Sequence, residues 1–105
     1  MKSGEVFTLA ADLPYKKNEL YRTIITNNDS MKFVIAVMDA GTSFPKQPTV
    51  GKAMIFALDG EAYVGYDGQE HLIHVGQHFL MEKGVDHYVR AKTPFKMAVV
   101  VDLTA

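Results

Sequence analysis

The sequence predicts an all-β domain, built as an antiparallel barrel or sandwich, and two observations support this. Apolar runs are short and rich in β-branched and aromatic residues, and turn residues such as Asn, Asp and Gly separate them at regular spacing. Only one helical turn is expected, near Lys16–Leu20 after Pro14. At 105 residues, the chain is expected to form one domain over positions 1–105.

Strand candidates follow one another along the chain, and turn residues separate them. The strongest are Phe33–Met38, Ala53–Leu58 and Met97–Val101, in which every residue is apolar. The shorter candidates are Glu5–Leu9, Tyr21–Thr26, Glu61–Tyr66, His71–Val75, His78–Met81 and Tyr88–Ala91. Asp59-Gly60 and Asp67-Gly68 are expected turns, because glycine adopts the positive φ that tight turns need.

Two of these runs also bear on assembly. Side chains alternate between the two faces of a strand, so Ala53–Leu58 and Met97–Val101 are apolar on both faces. Such strands are expected to be covered on both sides. The core covers one side, and either the N-terminal segment or a second subunit covers the other. We favour the second subunit and therefore predict a homodimer.

Composition excludes several classes of function. The net charge is −1 and the basic residues are scattered, so neither nucleic acid nor an anionic membrane is expected as a partner. The chain has no cysteine, which excludes disulfides and thiolate metal sites. No apolar run resembles a signal peptide or approaches the length of a membrane span. We therefore expect a cytoplasmic protein.

The spacing of glycines and one histidine carries a resemblance to a known family. Gly41 and Gly60 bracket a segment with Gln47, Thr49 and Ala53 at fixed positions between them. A second segment has Gly76, Glu82, Gly84, His87 and Ala91 in order. From Gly41 to His87 the chain resembles a small single-domain cupin, of the conserved-barrel, RmlC-like kind. The resemblance implies a jelly-roll barrel, also described as a double-stranded β-helix.

The same resemblance bears on metal binding. Metal-binding cupins hold Fe, Mn, Ni or Zn with three histidines and a glutamate, at the positions that Gln47, Thr49, Ala53 and His87 occupy here. Only His87 keeps the family residue type. Neutral amide and hydroxyl groups are weak ligands for these ions, so we expect a degenerate metal site, no bound metal and no other cofactor.

The remaining histidines are expected on the surface or rim. His71 and His74 are three residues apart on a strand and so point to opposite faces. His78 leaves one alternative open: if it faced inward beside His87, the two imidazoles and Glu82 would make a metal site.

Strand parity predicts a pocket inside the barrel. Gln47, Thr49 and His87 are expected to form a polar corner, with Ile55 and Val89 as apolar wall. A mostly apolar cavity with a few placed polar groups is typical of a small-molecule site, although an ordinary barrel core has the same composition. Because Ala53 and Ala91 are small, either Phe33, Met81 or Met97 fills the space, or a ligand does.

Three functions remain open from the sequence. The first is a small-molecule binder or sensor. The second is an enzyme, either a metal-free isomerase or epimerase with His87 as base, or a metal-dependent oxygenase with atypical ligands. The third is a barrel that acts through protein–protein contacts on its dimer surface. The identity of the ligand is not encoded in any motif.

Overall fold

The computed structural model describes residues 1–104 and places nine antiparallel strands in two facing sheets. The strands are β1 (Leu20–Asn27), β2 (Met31–Met38), β3 (Ser43–Pro48), β4 (Lys52–Asp59), β5 (Glu61–Tyr66), β6 (Gln69–His74), β7 (His78–Met81), β8 (Asp86–Ala91) and β9 (Phe95–Asp102). One sheet has the order β1-β2-β9-β4-β7 and the other β3-β8-β5-β6. The all-β antiparallel fold predicted from the sequence is confirmed.

Every strand candidate from residue 20 onward is a strand, but β3 was not predicted. Its sequence contains Pro45 and Pro48, which remove backbone donors and therefore argue against a central strand. β3 is an edge strand of its sheet, where a missing N–H on the open side leaves the ladder intact. Its pairing with β8 is irregular between Phe44 and Gln47.

The N-terminal expectations were wrong in two respects. Glu5–Leu9 is not a strand, and the short helix α1 spans Leu9–Asp12. The Thr8 N–H donates to Asp12 Oδ2 at 3.0 Å and the Asp12 N–H donates to the Thr8 carbonyl at 2.9 Å. These local bonds close a helical turn without any neighbouring strand. Lys16–Leu20, the expected helical turn, forms only a tight turn before β1.

The two Asp-Gly sequences have different roles. Asp67 and Gly68, with φ of 51° and 81°, connect the paired strands β5 and β6 as a two-residue hairpin. Gly60 instead takes the chain from one sheet to the other, since β4 and β5 do not pair. At Gly60 φ is 75°, and a Cβ would lie 1.8 Å from the Pro94 carbonyl oxygen, so only glycine fits this corner.

The core lies between the sheets and follows strand parity. Ala53, Ile55 and Ala57 of β4 are buried, as are Val89 and Ala91 of β8. Met81 and Met97 also point inward and contribute to the core. Phe33 does not, because it is the partner of Val100 on the opposite face of its sheet.

The outer face of the five-stranded sheet is partly covered by the N-terminal segment. Lys96 is 3% exposed, and its Nζ donates to the Ala10 carbonyl at 2.6 Å and lies 4.5 Å from the centroid of the Tyr15 ring. The Tyr15 hydroxyl donates to Asp59 Oδ2 at 2.6 Å. We call Ala10, Tyr15, Asp59 and Lys96 the clasp. Within residues 1–104, no helix is long and apolar enough to cross a membrane.

Candidate functional site

A cavity of about 180 Å³ lies between the two sheets. Strands from both sheets contribute to it, and most of its walls are aliphatic. It is lined by Arg22, Lys32, Val34, Ala36, Phe44, Gln47, Pro48, Val50, Ile55, Met81, His87, Val89, Met97, Val99 and Val101. A few polar groups in a mainly apolar hollow are typical of a small-molecule site.

His87 is anchored by a buried threonine. Thr49 is 4% exposed, and its Oγ1 lies 2.9 Å from His87 Nδ1 and 2.7 Å from the Val85 carbonyl oxygen. A hydroxyl has one hydrogen, and the carbonyl can only accept, so Oγ1 donates to Val85 and accepts from the Nδ1–H of His87. This arrangement selects the tautomer in which Nε2 carries the lone pair.

The surroundings of His87 also favour its neutral form. Burial lowers the pKa of the imidazole below its usual value, because desolvation penalises the charged ring. The backbone carbonyls of Gln47 and Val85 and the nearby Asp86 carboxylate partly oppose this lowering of the pKa. At neutral pH the ring is therefore an uncharged base and hydrogen-bond acceptor on the cavity wall.

The structure brings the five predicted site residues together, although not all on the cavity surface. Gln47, Ile55, His87 and Val89 line the cavity. Gln47 and His87 are direct partners across β3 and β8. Thr49 lies behind His87 and supports it, so its role is to orient the imidazole. That these residues bind a ligand stays a prediction.

The donor set around His87 does not fit a divalent transition metal. Gln47 offers a neutral amide, Ala53 a methyl group, and the Thr49 hydroxyl is already bonded to Val85. In the described part of the chain, no three His, Cys, Asp or Glu side chains form a group that could hold a metal ion. The family metal site is thus not supported by these residues, and we derive no chemistry from it.

The other histidines lie away from the cavity. His78 pairs with Phe56 on the outer face of the five-stranded sheet, with ring centroids 5.0 Å apart, so it cannot join His87. His71 packs against Phe79 at 5.2 Å, at the rim between β6 and β7. The His74 ring is exposed and lies beside the backbone of Val75.

Sequence reasoning missed the two cations of the cavity, Arg22 and Lys32. Arg22 is on β1 opposite Ala36, and Lys32 is on β2 opposite Val101 of β9. Lys32 has the same parity as Val34 and Ala36, which line the cavity with it. Parity could have grouped these residues, but only the packing of the sheets shows which face of β2 is inside.

His87 also borders a second cleft of about 150 Å³, on the far side of its ring. Lys46, Tyr66, Glu70 and Asp86 are among the residues that line it. The Lys46 and Asp86 side chains lie 4.0 Å apart there and are both exposed. Charged side chains line part of this cleft, and His87 borders both the cleft and the cavity between the sheets.

The sequence and the fold were compared with protein families and with solved structures. The family model described as a cupin domain matches residues 34–102. The chain belongs to the cupin family. A comparison with curated protein sequences finds no significant match.

Several solved structures share the barrel of this cupin. A conserved protein of unknown function from Streptococcus pyogenes aligns with a TM-score of 0.95 and 20% identity, over 100% of this chain and 92% of that one. A cupin superfamily protein from Desulfitobacterium hafniense aligns with a TM-score of 0.92 and 17% identity, over 98% and 94%. A mutant of the salicylate 1,2-dioxygenase from Pseudoaminobacter salicylatoxidans aligns with a TM-score of 0.73 and 19% identity, over 79% of this chain and 26% of that one. These similarities establish the jelly-roll fold.

Proposed function

We propose that this cupin binds a small organic molecule in the cavity between its sheets, as a binder or sensor. The observation that carries the proposal is His87: it is held by Thr49 through Nδ1, and it lines the cavity. A ring fixed in this way presents one acceptor nitrogen to a donor group of a ligand. Such preorganisation lowers the ordering cost of binding.

The size and lining of the cavity support the same proposal. Apolar side chains including Ile55, Val89 and Met97 surround the polar groups, so burial of an apolar ligand is favourable. At about 180 Å³, the cavity is somewhat larger than an engineered apolar cavity of roughly 150 Å³ that binds benzene. A ligand with one six-membered ring and small substituents matches this volume.

Nuclear magnetic resonance titration tests the proposal on the intact protein. Phenol and its methyl ether, anisole, are matched probes, since only phenol can donate to Nε2 of His87. We expect phenol to shift the amide signals of Ile55 and Val89 saturably, and to bind more tightly than anisole. His87→Leu should weaken phenol binding about tenfold or more, because a donor left unpaired costs about 1–3 kcal/mol.

The matched control is His74→Leu, which removes an exposed histidine outside the cavity. It should leave phenol binding unchanged. The proposal is overturned if neither probe shifts the cavity signals, or if His87→Leu and His74→Leu bind phenol equally well.

A metal-free isomerase or epimerase is the second candidate, and the neutral His87 favours it. Nε2 would accept a proton from a carbon next to a carbonyl, the electron pair would move onto the carbonyl oxygen as an enolate, and the imidazolium would return a proton to that carbon after exchange with solvent. This mechanism predicts faster solvent-deuterium incorporation into phenylpyruvate, lost in His87→Gln. No incorporation above the rate in buffer would leave binding as the function. A metal-dependent oxygenase has no support in the donor set.

The predicted homodimer remains a proposal, now with a defined surface. Phe33, Val100, Met54 and Leu80 are successive partners across β2, β9, β4 and β7, on the outer face beyond the clasp. Leu80 is 53% exposed and the other three are partly exposed. This row is flat and apolar, and two copies can stack it face to face about a two-fold axis.

Light scattering tests the dimer. We expect twice the chain mass of 11.7 kDa at high micromolar concentration, and dissociation in Leu80→Arg. The control is Leu72→Arg, since Leu72 is 46% exposed on the outer face of the other sheet. A monomeric wild-type protein, or dissociation in Leu72→Arg alone, would contradict the proposal.

A further inference from the structure

The charged groups of the cavity are all cations. Arg22 and Lys32 line it, and no Asp or Glu is among its lining residues within the part of the chain that the structure describes. The chain as a whole carries a net charge of −1, so this local excess of positive charge is not a property of the protein at large. Arg22 is exposed and Lys32 is half-buried, and the apolar walls beside them strengthen their attraction for an anion relative to a flat surface.

Arg22 and Lys32 are not among the basic residues that form ion pairs within residues 1–104. Three other basic residues form ion pairs with carboxylates: Lys46 with Asp86, Lys52 with Glu82, and Arg90 with Glu70. No ion pair of Arg22 or Lys32 occurs among residues 1–104. Within that range, the cavity cations therefore have no carboxylate partner of their own.

Strand register places the two cations at different depths of the same opening. Arg22 is level with Ala36 and Lys32 lies four residues away along β2, which is about 14 Å along the strand. The Arg22 guanidinium lies 5.9 Å from the centroid of the Phe44 ring, so it reaches from β1 toward β3 across the gap between the sheets. Both side chains are long, so the two can reach one small ligand from different sides.

We propose that the cavity takes a small organic carboxylate with an apolar body and a donor group at its far end. The inference rests on the proposed function and names the chemical class of the ligand. Arg22 and Lys32 would bind the carboxylate, and Nε2 of His87 would accept from the donor. A carboxylate suits the planar guanidinium fork and is less strongly hydrated than a phosphate dianion. A mainly apolar cavity favours the group that is easier to desolvate.

The experiment compares 4-hydroxybenzoate with its neutral analogue 4-hydroxybenzamide, by the same resonance titration. We expect the carboxylate to bind at least tenfold more tightly in the wild-type protein, and the difference to shrink in 1 M NaCl. Arg22→Gln combined with Lys32→Gln should lower the affinity for the carboxylate to that for the amide, which removes the difference. Lys52→Gln, whose side chain lies outside the cavity, is the control and should change neither affinity.

Each outcome decides between this inference and the proposed function. Equal binding of both probes overturns the carboxylate inference alone, while no binding of phenol, the amide or the carboxylate overturns the proposed function. A carboxylate preference that survives the double variant shows that other groups create it, and also overturns the inference. Displacement of 4-hydroxybenzoate by equimolar inorganic phosphate would show that the site selects charge and not carboxylate. The salt dependence of the wild-type protein provides a test that needs no variant.

Discussion

Lys96 of the clasp and the two cations of the cavity belong to the same sheet, yet their surroundings differ completely. Lys96 is buried, bonded to the Ala10 carbonyl and stacked over Tyr15. Arg22 and Lys32 form no ion pair among the described residues and border an open hollow. A buried cation that is bonded within the chain stabilises the fold. A cation that lines a cavity without a carboxylate partner is suited to binding an anionic ligand.

The His87 ring is both bonded within the fold and part of the cavity lining. Nδ1 is bonded to Thr49, which is buried, and this bond fixes the ring as part of the fold. The ring also lines the cavity. Substitutions should therefore separate groups that stabilise the fold from groups that serve a ligand.

The largest effect on stability is expected in the clasp. Lys96→Met leaves the Ala10 carbonyl without its charged donor and removes the cation from the Tyr15 ring, so the free energy of unfolding should fall by about 2–4 kcal/mol. Urea unfolding measures it. Lys52→Met, which breaks only an exposed ion pair at 3.6 Å, is the control and should cost less than about 1 kcal/mol. Similar losses of stability in both variants would mean that the buried contacts of Lys96 contribute no more than an exposed ion pair.

Thr49 should show the next largest effect. Thr49→Val leaves His87 Nδ1 without its hydroxyl partner, at a cost of about 1–3 kcal/mol in the free energy of unfolding, while the Val85 carbonyl still accepts from the backbone N–H of residue 49. Thr49→Ser keeps the hydroxyl and should retain most of the stability. Nitrogen chemical shifts of the His87 ring should report a single tautomer in the wild-type protein and a mixture in Thr49→Val. An unchanged tautomer in Thr49→Val would argue against the assigned hydrogen bond.

The pH dependence of stability is a smaller effect, and its sign follows from the lowered pKa of His87. Below the ordinary histidine pKa near 6.5, the unfolded chain binds a proton that the folded ring resists, so stability falls as the pH falls. Above about pH 7 the ring is neutral in both states and contributes no slope. Relative to His87→Gln, the wild-type protein should lose at most about 1.4 kcal/mol per pH unit between pH 6.5 and the folded pKa. A relative gain of stability on acidification would refute this.

The smallest effect on stability is expected at the cavity cations. Arg22→Gln and Lys32→Gln break no ion pair, so each should change the free energy of unfolding by no more than about 0.5 kcal/mol. Their effect should appear only in carboxylate binding. A large loss of stability in Lys32→Gln would show that this side chain serves the fold, as Lys96 does.

Local sequence determined most of the strands and the inner faces of two of them. Runs such as Ala53–Leu58 and Met97–Val101 are short, apolar and bounded by turn residues, which favours a buried strand, and the parity of Ile55 and Val89 followed from their positions. The spacing of four glycines and His87 was enough to identify the family. Each of these signals is carried by short-range chemistry, either side-chain alternation or a backbone conformation that glycine alone adopts easily.

Tertiary structure decided the rest. β3 with its two prolines is a strand only because β8 lies beside it, and Thr49 supports His87 only because Val85 fixes its hydroxyl. Arg22 and Lys32 share a cavity because β1 and β2 face strands far from them in sequence, such as β8, across the gap between the sheets. Alternation shows which side chains share a face of one strand. Only the packing of both sheets decides which face is inside, because that choice depends on contacts between residues far apart in the chain.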